Sequence, residues 1–345
     1  MVRLHRFSFL LAALLILLMP AIVSHAEGDG DPDLALIGER TGMVASHSAT
    51  SPACEFSTEF ELYLCPEVPS AGLPAPDPAA HAQALAVLQG GGALLLIPDS
   101  TNDRVMAFDP GTGDLIDPNF LPPDSTNLGT PINAILSASG DSILISDQIG
   151  DEVHEYALDG TYLGVFAPAG GPDPAILNNV RGIALRDNGN LLVTTADAGT
   201  PDYVAEFDTA GNYVGAFIPS GSGGLGGPFD VYHYMIDWLV SAIDSNDVLR
   251  YDDSGAFIEE FAPVDTFPEQ IAEASNSNVL VANFSGGQEG IMEFLPDGTL
   301  VDIYDPGNLG GYRGVYELAN DNLLVTTGTG VHEITRTGTF VESKI

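Results

Sequence analysis

A short sequence pattern returns six times in the chain, at intervals of 40 to 51 residues. It consists of a β-branched residue, two variable positions and, in five of the six copies, an aromatic residue. The copies are residues 105–108, 153–156, 204–207, 248–251, 291–294 and 331–334. Self-similarity at this period is typical of an array of equivalent structural units, because one such unit cannot bury its apolar face alone. The repeat therefore limits the fold more strongly than any local motif.

Each copy is surrounded by apolar runs that have the length and β-branched content of strands. A buried run precedes the copies at residues 94–97, 143–145, 191–193, 238–240, 279–281 and 323–325. After most copies a turn with Asp or Gly leads to another run, at residues 162–166, 213–217, 257–261 and 300–304. A first strand precedes the buried run at residues 132–136, 180–185, 268–272 and 312–316. We expect residues 83–88 to take the same place in the first repeat.

Four short antiparallel strands within one period match the size and strand count of a β-propeller blade. Six repeats predict an all-β fold, a six-bladed β-propeller of four-stranded antiparallel blades over residues 81–345. A stack of unrelated sandwiches would not keep the pattern in register six times.

Residues 99–109 resemble the core of an NHL-type repeat. They contain an Asp after the second strand, a small polar loop with Asn, and then Arg104-Val105 before an aromatic residue and Asp109. Looser copies lie at residues 147–156 and 244–252, and the arginine before the valine is present only in the first repeat. The resemblance implies an NHL-like propeller of the same broad superfamily as gluconolactonase-like and virginiamycin-lyase-like propellers. Because such propellers serve as binding platforms, lyases and lactone hydrolases alike, it implies a fold without selecting a function.

Residues 1–26 have the features of a secretory signal peptide. Arg3 and Arg6 give a positive start, residues 7–23 are almost wholly apolar, and residues 24–26 place small side chains where a signal peptidase cleaves. An uncleaved membrane anchor is the alternative, since about 17 apolar residues is the lower limit for a span. The small residues and a proline near the end favour cleavage. We therefore expect a secreted or periplasmic protein.

Residues 27–80 form an N-terminal extension outside the repeat, with a proline-rich linker at residues 66–78. The two cysteines of the chain, Cys54 and Cys65, lie in this extension. In an oxidising compartment this close pair is expected to form a disulfide, with two buried free thiols as the alternative. The extension could be a separate hairpin or could add a strand to an outer blade.

The chain carries 48 acidic and 10 basic side chains, a formal charge of -38, and a single lysine, Lys344. Nucleic acid is excluded as a partner, because binding to phosphates depends on Lys and Arg. Anionic membrane surfaces are disfavoured for the same reason. We expect a monomer that binds an unknown protein or small molecule. The near absence of lysine suggests a saline extracellular habitat.

The first strand of each propeller blade lines the central channel. When the repeats are aligned on their apolar second strands, polar residues fall close to one register, although the fourth repeat leaves either Asp230 or Pro228 there. The candidate ligand-binding residues are Gln83, Asn133, Arg181, Asp230, Glu269 and Arg313. Two arginines in so acidic a chain suggest pairing with carboxylates, either those of a ligand or that of Glu269. The alternative is that these residues only form salt bridges along the channel wall.

A divalent cation such as calcium is the cofactor that the acidic residues allow, because it prefers oxygen ligands. The gluconolactonase-like resemblance implies a cation held by Glu, Asn and Asp at the channel mouth, for which Asn133, Asp230 and Glu269 have the right chemistry. Other acidic groups are also candidates. They are Asp29, Asp31 and Asp33, Asp99 and Asp103, and Asp109 and Asp114. None of these matches an EF-hand loop.

No catalytic residue can be assigned from the sequence. His154 and His332 occupy equivalent positions of the third strand, which indicates a structural role, while a virginiamycin-lyase-like reaction would need His233 or His81 near the channel. A nucleophile elbow, a phosphate loop and a zinc-protease motif are absent. We expect an exported binding or interaction scaffold with its site at the channel mouth. The alternative is a metal-assisted hydrolase or lyase that acts on a small molecule in the channel.

Overall fold

The computed structural model describes residues 55–57, 62–64, 75–197 and 200–345. The predicted signal peptide, both cysteines and, apart from residues 55–57 and 62–64, the rest of the chain before residue 75 lie outside the described residues, so those predictions stay untested. Within the described part, no helix is long and apolar enough to cross a membrane. Strands β1 (Glu55–Ser57) and β2 (Leu62–Leu64) pair as an antiparallel hairpin.

Residues 95–343 form six antiparallel sheets that follow one another along the chain, each a blade. Blade 1 contains β3 (Leu95–Asp99), β4 (Arg104–Phe108) and β5 (Leu115–Leu121). Blade 2 contains β6 (Pro131–Leu136), β7 (Ser142–Asp147), β8 (Glu152–Ala157) and β9 (Tyr162–Ala167). Blade 3 contains β10 (Val180–Leu185), β11 (Leu191–Asp197), β12 (Thr200–Phe207) and β13 (Tyr213–Ile218).

Blade 4 contains β14 (Pro228–Tyr234), β15 (Asp237–Ala242), β16 (Asp247–Tyr251) and β17 (Phe257–Pro263), after a 3-10 turn at Ser222–Gly224. Blade 5 contains β18 (Thr266–Glu273), β19 (Val279–Ser285), β20 (Gly290–Phe294) and β21 (Leu300–Tyr304). Blade 6 contains β22 (Gly314–Glu317), β23 (Leu323–Thr327), β24 (Gly330–Ile334) and β25 (Phe340–Ser343). The predicted six-bladed all-β propeller is confirmed.

The first repeat departs from the prediction of an inner strand at residues 83–88. These residues lie in helix α1 (Pro78–Gln89), so the predicted strand is wrong. The Asp77 side chain caps the helix by accepting from the N–H of Ala79, Pro78 occupies the first turn, and alanine, the best helix former, dominates the segment. Ala84 and Leu88 of the helix pack into the apolar cluster between blades 1 and 2. Among the described residues, blade 1 therefore has three strands.

Apolar side chains fill each boundary between neighbouring blades. Between blades 3 and 4, for example, Leu192 and Val204 pack with Trp238 and Tyr251, all of them buried. Full burial of a large apolar side chain stabilises a fold by roughly 1.5–3 kcal/mol, so these boundaries supply most of the stability. The blades are consequently held face to face by the same β-branched and aromatic positions that form the repeat pattern.

The ring closes where blade 6 meets blade 1. Leu318 and Leu324 of blade 6 pack with Phe108 of blade 1. The ammonium of Lys344, just after β25, lies 3.0 Å from a carboxylate oxygen of Asp114 in blade 1. Each sheet contains strands from one repeat only, so packing and ion pairs close the ring among the described residues.

Candidate binding site at the channel mouth

Five of the six predicted channel residues lie where the inner strands begin. Asn133, Arg181, Asp230 and Glu269 lie in β6, β10, β14 and β18, and Arg313 immediately precedes β22. All five are buried. Gln83 is the exception, because it lies on α1 with an exposed side chain and is not part of an inner strand.

The predicted channel residues occupy two adjacent positions of the inner strands and not a single equivalent one. The backbone N–H groups of Asn133 and Asp230 donate to the hydroxyls of Ser146 and Ser241 on the neighbouring second strands, at 2.9 and 3.0 Å. In blade 3 the N–H that makes this bond, to Thr194, belongs to Gly182 and not to Arg181. Four inner strands, β6, β10, β14 and β18, have an irregularity in their pairing at this point, which a sequence alignment of the repeats does not show.

The same hydroxyl groups connect neighbouring blades. Ser146 donates to the carbonyl of Arg181 in blade 3 at 2.5 Å. Thr194 donates to the carbonyl of Phe229 in blade 4 at 3.0 Å, and Ser241 donates to that of Glu269 in blade 5 at 2.5 Å. Each hydroxyl thus satisfies a donor in its own blade and an acceptor in the next. The sequence carried a signal for this contact, since a hydroxyl residue follows the buried run in these repeats.

Arg313 and Glu269 form a fully buried ion pair between blades 6 and 5. An Nη atom of Arg313 lies 3.0 Å from a carboxylate oxygen of Glu269, and neither side chain has exposed surface. The guanidinium also stacks over the ring of Phe284, 4.6 Å from its centre. Mutual neutralisation and stacking compensate for part of the cost of burying both charges.

Arg181 lies over an aromatic ring at the same level of the channel. Its guanidinium is 5.1 Å from the centre of the Phe229 ring. Phe229 belongs to a buried apolar cluster drawn from blades 2, 4 and 5, which comprises Ile132, Phe229, Ile243, Phe267 and Phe284. Because blades 2 and 5 lie opposite each other in a six-membered ring, this cluster extends across the channel. This cluster could not be predicted from the sequence, because isolated apolar residues at strand ends resemble ordinary core.

Asp230 joins two inner strands through its carboxylate. One oxygen accepts from the N–H of Ile271 in blade 5 at 2.9 Å, and the other accepts from the N–H of Val231. Burial raises the pKa of Asp230 to about 6, although both hydrogen bonds act in the opposite direction. Gln270 makes the equivalent contact one blade further on, accepting from the N–H of Val315 at 3.0 Å.

The predicted metal ligands do not present a free set of oxygens. The carboxylate of Asp230 binds two backbone N–H groups, and Glu269 binds Arg313. Across the residues that the structure describes, no three His, Cys, Asp or Glu side chains are grouped as a metal site. Of the acidic loops, Asp99 pairs with Arg104 at 2.8 Å and Asp114 pairs with Lys344. These donors therefore fit structural roles better than cation binding.

His154, His233 and His332 lie outside the residues at which the inner strands begin. His154 and His332 occupy equivalent positions of the third strand, paired with Ile145 and Val325. Both are buried beside hydroxyl groups, Tyr162 for His154 and Ser343 for His332, and burial lowers the pKa of His332. His233 is exposed against Trp238, beyond Asp230 along β14.

The fold and its central channel define the class of protein as a six-bladed β-propeller. Neither a family model nor a curated protein matches the chain. A protein of unknown function from Bacteroides caccae matches with a TM-score of 0.52 and 15% identity, over 72% of this chain and 92% of that one. A streptogramin B lyase matches with a TM-score of 0.52 and 16% identity, over 73% of this chain and 79% of that one. A protein described as a putative gluconolactonase matches with a TM-score of 0.53 and 14% identity, over 70% of this chain and 87% of that one. At these identities the similarity shows a shared fold.

Proposed function

We propose that the protein is an exported binding scaffold with a ligand site at the mouth of the channel where the inner strands begin. Export rests on the predicted signal peptide. The site rests on the distribution of loops, since connections from an outer strand to the next inner strand lie on this face. The longer ones are residues 122–130, 168–179, 219–227 and 305–313, whereas hairpins on the opposite face span only residues 137–141, 186–190 and 235–236. Long loops on a rigid frame commonly carry recognition.

Two arginines lie where inner strands begin, next to these loops, in a strongly acidic molecule. Arg313 is neutralised by Glu269, and Arg181 lies against the aromatic face of Phe229. A guanidinium beside an aromatic ring suits a carboxylate carried on an apolar skeleton. A small organic carboxylate is therefore the ligand class that we favour.

A thermal-shift titration with benzoate, phenylacetate and indole-3-acetate tests this proposal. We expect at least one of these carboxylates to raise the melting temperature, because a ligand that binds only the folded state stabilises it. The shift should disappear in Arg181→Gln and persist in Arg250→Gln, whose arginine pairs with Asp237 within blade 4. Absence of any shift, or an equal shift in Arg181→Gln, would contradict the proposed site.

A further inference from the structure

One residue at the entrance to blade 5 has a strained backbone where the other blades have a residue that suits the turn. Two positions before Arg181, Phe229, Glu269 and Arg313, the chain turns into the inner strand through a residue with positive φ. These residues are Asn179, Gly227, Phe267 and Gly311. Glycine and asparagine adopt this conformation readily, whereas a bulky side chain does so only under strain. Phe267, with a φ of 65°, is therefore the exception among the four.

The residue that follows Phe267 adds to the strain. Pro268 restricts the residue before it to extended conformations, because its ring would otherwise clash with that residue. Thr130 has the equivalent place in blade 2 and also precedes a proline, and its φ is not positive. The sequence Phe-Pro thus favours an extended backbone at Phe267, and the structure holds it in the other form.

Two contacts hold Phe267 in the strained form. Its N–H donates to the Oδ1 of Asn246 in blade 4 at 3.2 Å, and its ring packs against that of Phe284, with 5.7 Å between the ring centres. The ring lies in the apolar cluster that extends across the channel, and it is 5% exposed. Strained conformations of this kind persist when the surroundings hold them, and they concentrate at ligand clamps and switches.

The same cluster carries both arginines of the proposed ligand site. Arg313 stacks on Phe284, the ring that Phe267 contacts, and Arg181 stacks on Phe229. Both arginines are at most 2% exposed, so a carboxylate reaches either guanidinium only when part of the cluster moves. Phe267 is the member of the cluster whose backbone is strained in its present position.

We propose that Phe267 is a gate over the ligand site, an inference that rests on the proposed function. In the closed form its ring packs against Phe284 and its backbone stays strained. In the open form Phe267 rotates to an extended conformation, its N–H leaves Asn246, and its ring leaves the cluster and uncovers the arginines. Relief of strain offsets the lost burial of the ring, so both forms are populated, and a carboxylate that binds the open form shifts the population towards it.

Modification of the two arginines by phenylglyoxal, followed by peptide mass spectrometry without any ligand, measures the population of the open form. Pro268→Ala removes the restriction on Phe267, which makes the closed form easier to hold. It should slow both modifications roughly fivefold. The matched control is Pro228→Ala, which should leave both rates unchanged, because Pro228 follows Gly227 and glycine adopts a positive φ at little cost.

A second variant should act in the opposite direction. Asn246→Gly removes the amide that binds the N–H of Phe267, and glycine keeps the φ of 58° at position 246 without strain. It should speed both modifications about fivefold. Arg250, which lies in β16 and outside the cluster, reports on global unfolding and should react at the same rate in all variants.

The gate and the ligand site fail in different ways. Equal rates in Pro268→Ala and Pro228→Ala, or rates unchanged by Asn246→Gly, would overturn the gate even if phenylacetate still raised the melting temperature through Arg181. If the rates respond as expected but phenylacetate neither protects the arginines nor raises the melting temperature, the motion of Phe267 is supported and the proposed ligand class is wrong.

Discussion

Gly182 lies at a close approach between the inner strands β10 and β14. A Cβ at this position would lie 2.7 Å from both the Cα of Asp230 and the carbonyl oxygen of Phe229, and backbone atoms cannot move aside as a flexible side chain can. We expect Gly182→Ala to destabilise the protein by about 3 kcal/mol through overpacking. Urea unfolding measures this, with Gly328→Ala as the control, because a Cβ on Gly328 meets no atom within 4 Å. Equal stabilities of the two variants would contradict the close approach.

The raised pKa of Asp230 predicts a specific pH dependence of stability. Its pKa is about 6 in the fold against 3.8 in the unfolded chain, so its stabilising contribution is complete below pH 3.8 and is lost as the pH rises through 6. The loss corresponds to about 3 kcal/mol at neutral pH. We expect the free energy of unfolding of the unaltered chain, relative to Asp230→Asn, to fall between pH 4 and pH 7.

Asp208 provides a control of opposite sign. Hydrogen bonds from Asn212, with further ones from backbone N–H groups, lower the pKa of this exposed carboxyl. The stability of the unaltered chain relative to Asp208→Asn should therefore rise with pH through the acid range. If the difference in unfolding free energy changed with pH in the same direction for Asp230→Asn and for Asp208→Asn, the pKa shifts inferred for the two carboxyls would be contradicted.

At the scale of strands and helices, Lys344 fixes the end of the last strand to the first blade. Burial alone would lower the pKa of Lys344, but hydrogen bonds from its ammonium to Glu342, Asp114 and Glu333 outweigh burial and raise it. The raised pKa means that this stabilisation persists at neutral pH and is lost in strongly alkaline solution. Lys344→Gln should cost about 1 kcal/mol and speed hydrogen exchange in β25. Arg250→Gln, which breaks ion pairs within blade 4, should leave β25 unaffected.

The strands were predictable to different degrees. The second and third strands could be predicted in every repeat, because their apolar and β-branched residues are buried on both faces and leave a continuous signal. Residues 83–88 have the same apolar spacing, but the alanines and the Asp77-Pro78 cap favour a helix. The local preference for a helix outweighs the repeat pattern in this segment, so the repeat alone predicts a strand there.

The candidate site was predictable in its position and not in its contacts. Arg181, Glu269 and Arg313 could be placed at the channel because repeats align on their second strands. Their partners could not be predicted, because Arg313 finds Glu269 and Phe284 across a blade boundary, far apart in sequence. Irregular strand pairing places Arg181 and Asn133 at different positions of their inner strands. No residue type marks this irregularity, so it could not be predicted either.

At the scale of the whole molecule, several of the few cations link neighbouring blades. Arg186 of blade 3 contacts Glu206 and, in blade 4, Asp253, while Arg336 of blade 6 contacts Glu293 of blade 5. Because the formal charge is -38, acidic side chains far outnumber the basic ones that could pair with them, and the carboxylates repel one another.

This imbalance predicts a salt dependence. We expect the melting temperature to rise between about 0.05 and 1 M sodium chloride, because the screening length falls to roughly 3 Å and weakens long-range repulsion more than buried ion pairs. An osmotically matched sucrose series separates screening from general exclusion effects. A melting temperature indifferent to salt would count against a saline habitat as the reason for the acidic surface.

The hydroxyl contacts around the channel also determine how the molecule comes apart. Ser146, Thr194 and Ser241 each couple one blade to the next. Ala282 stands in the corresponding position of blade 5, where the Arg313–Glu269 pair makes the link to blade 6, and Pro98 stands in that position of blade 1. The stability of the propeller is then a sum over the blades and the interfaces between neighbouring blades, and the weakest of these interfaces are those of blade 1. Partial opening would begin there and spread blade by blade. A circular permutant cut beside blade 1 should consequently keep more of its stability than one cut between blades 3 and 4.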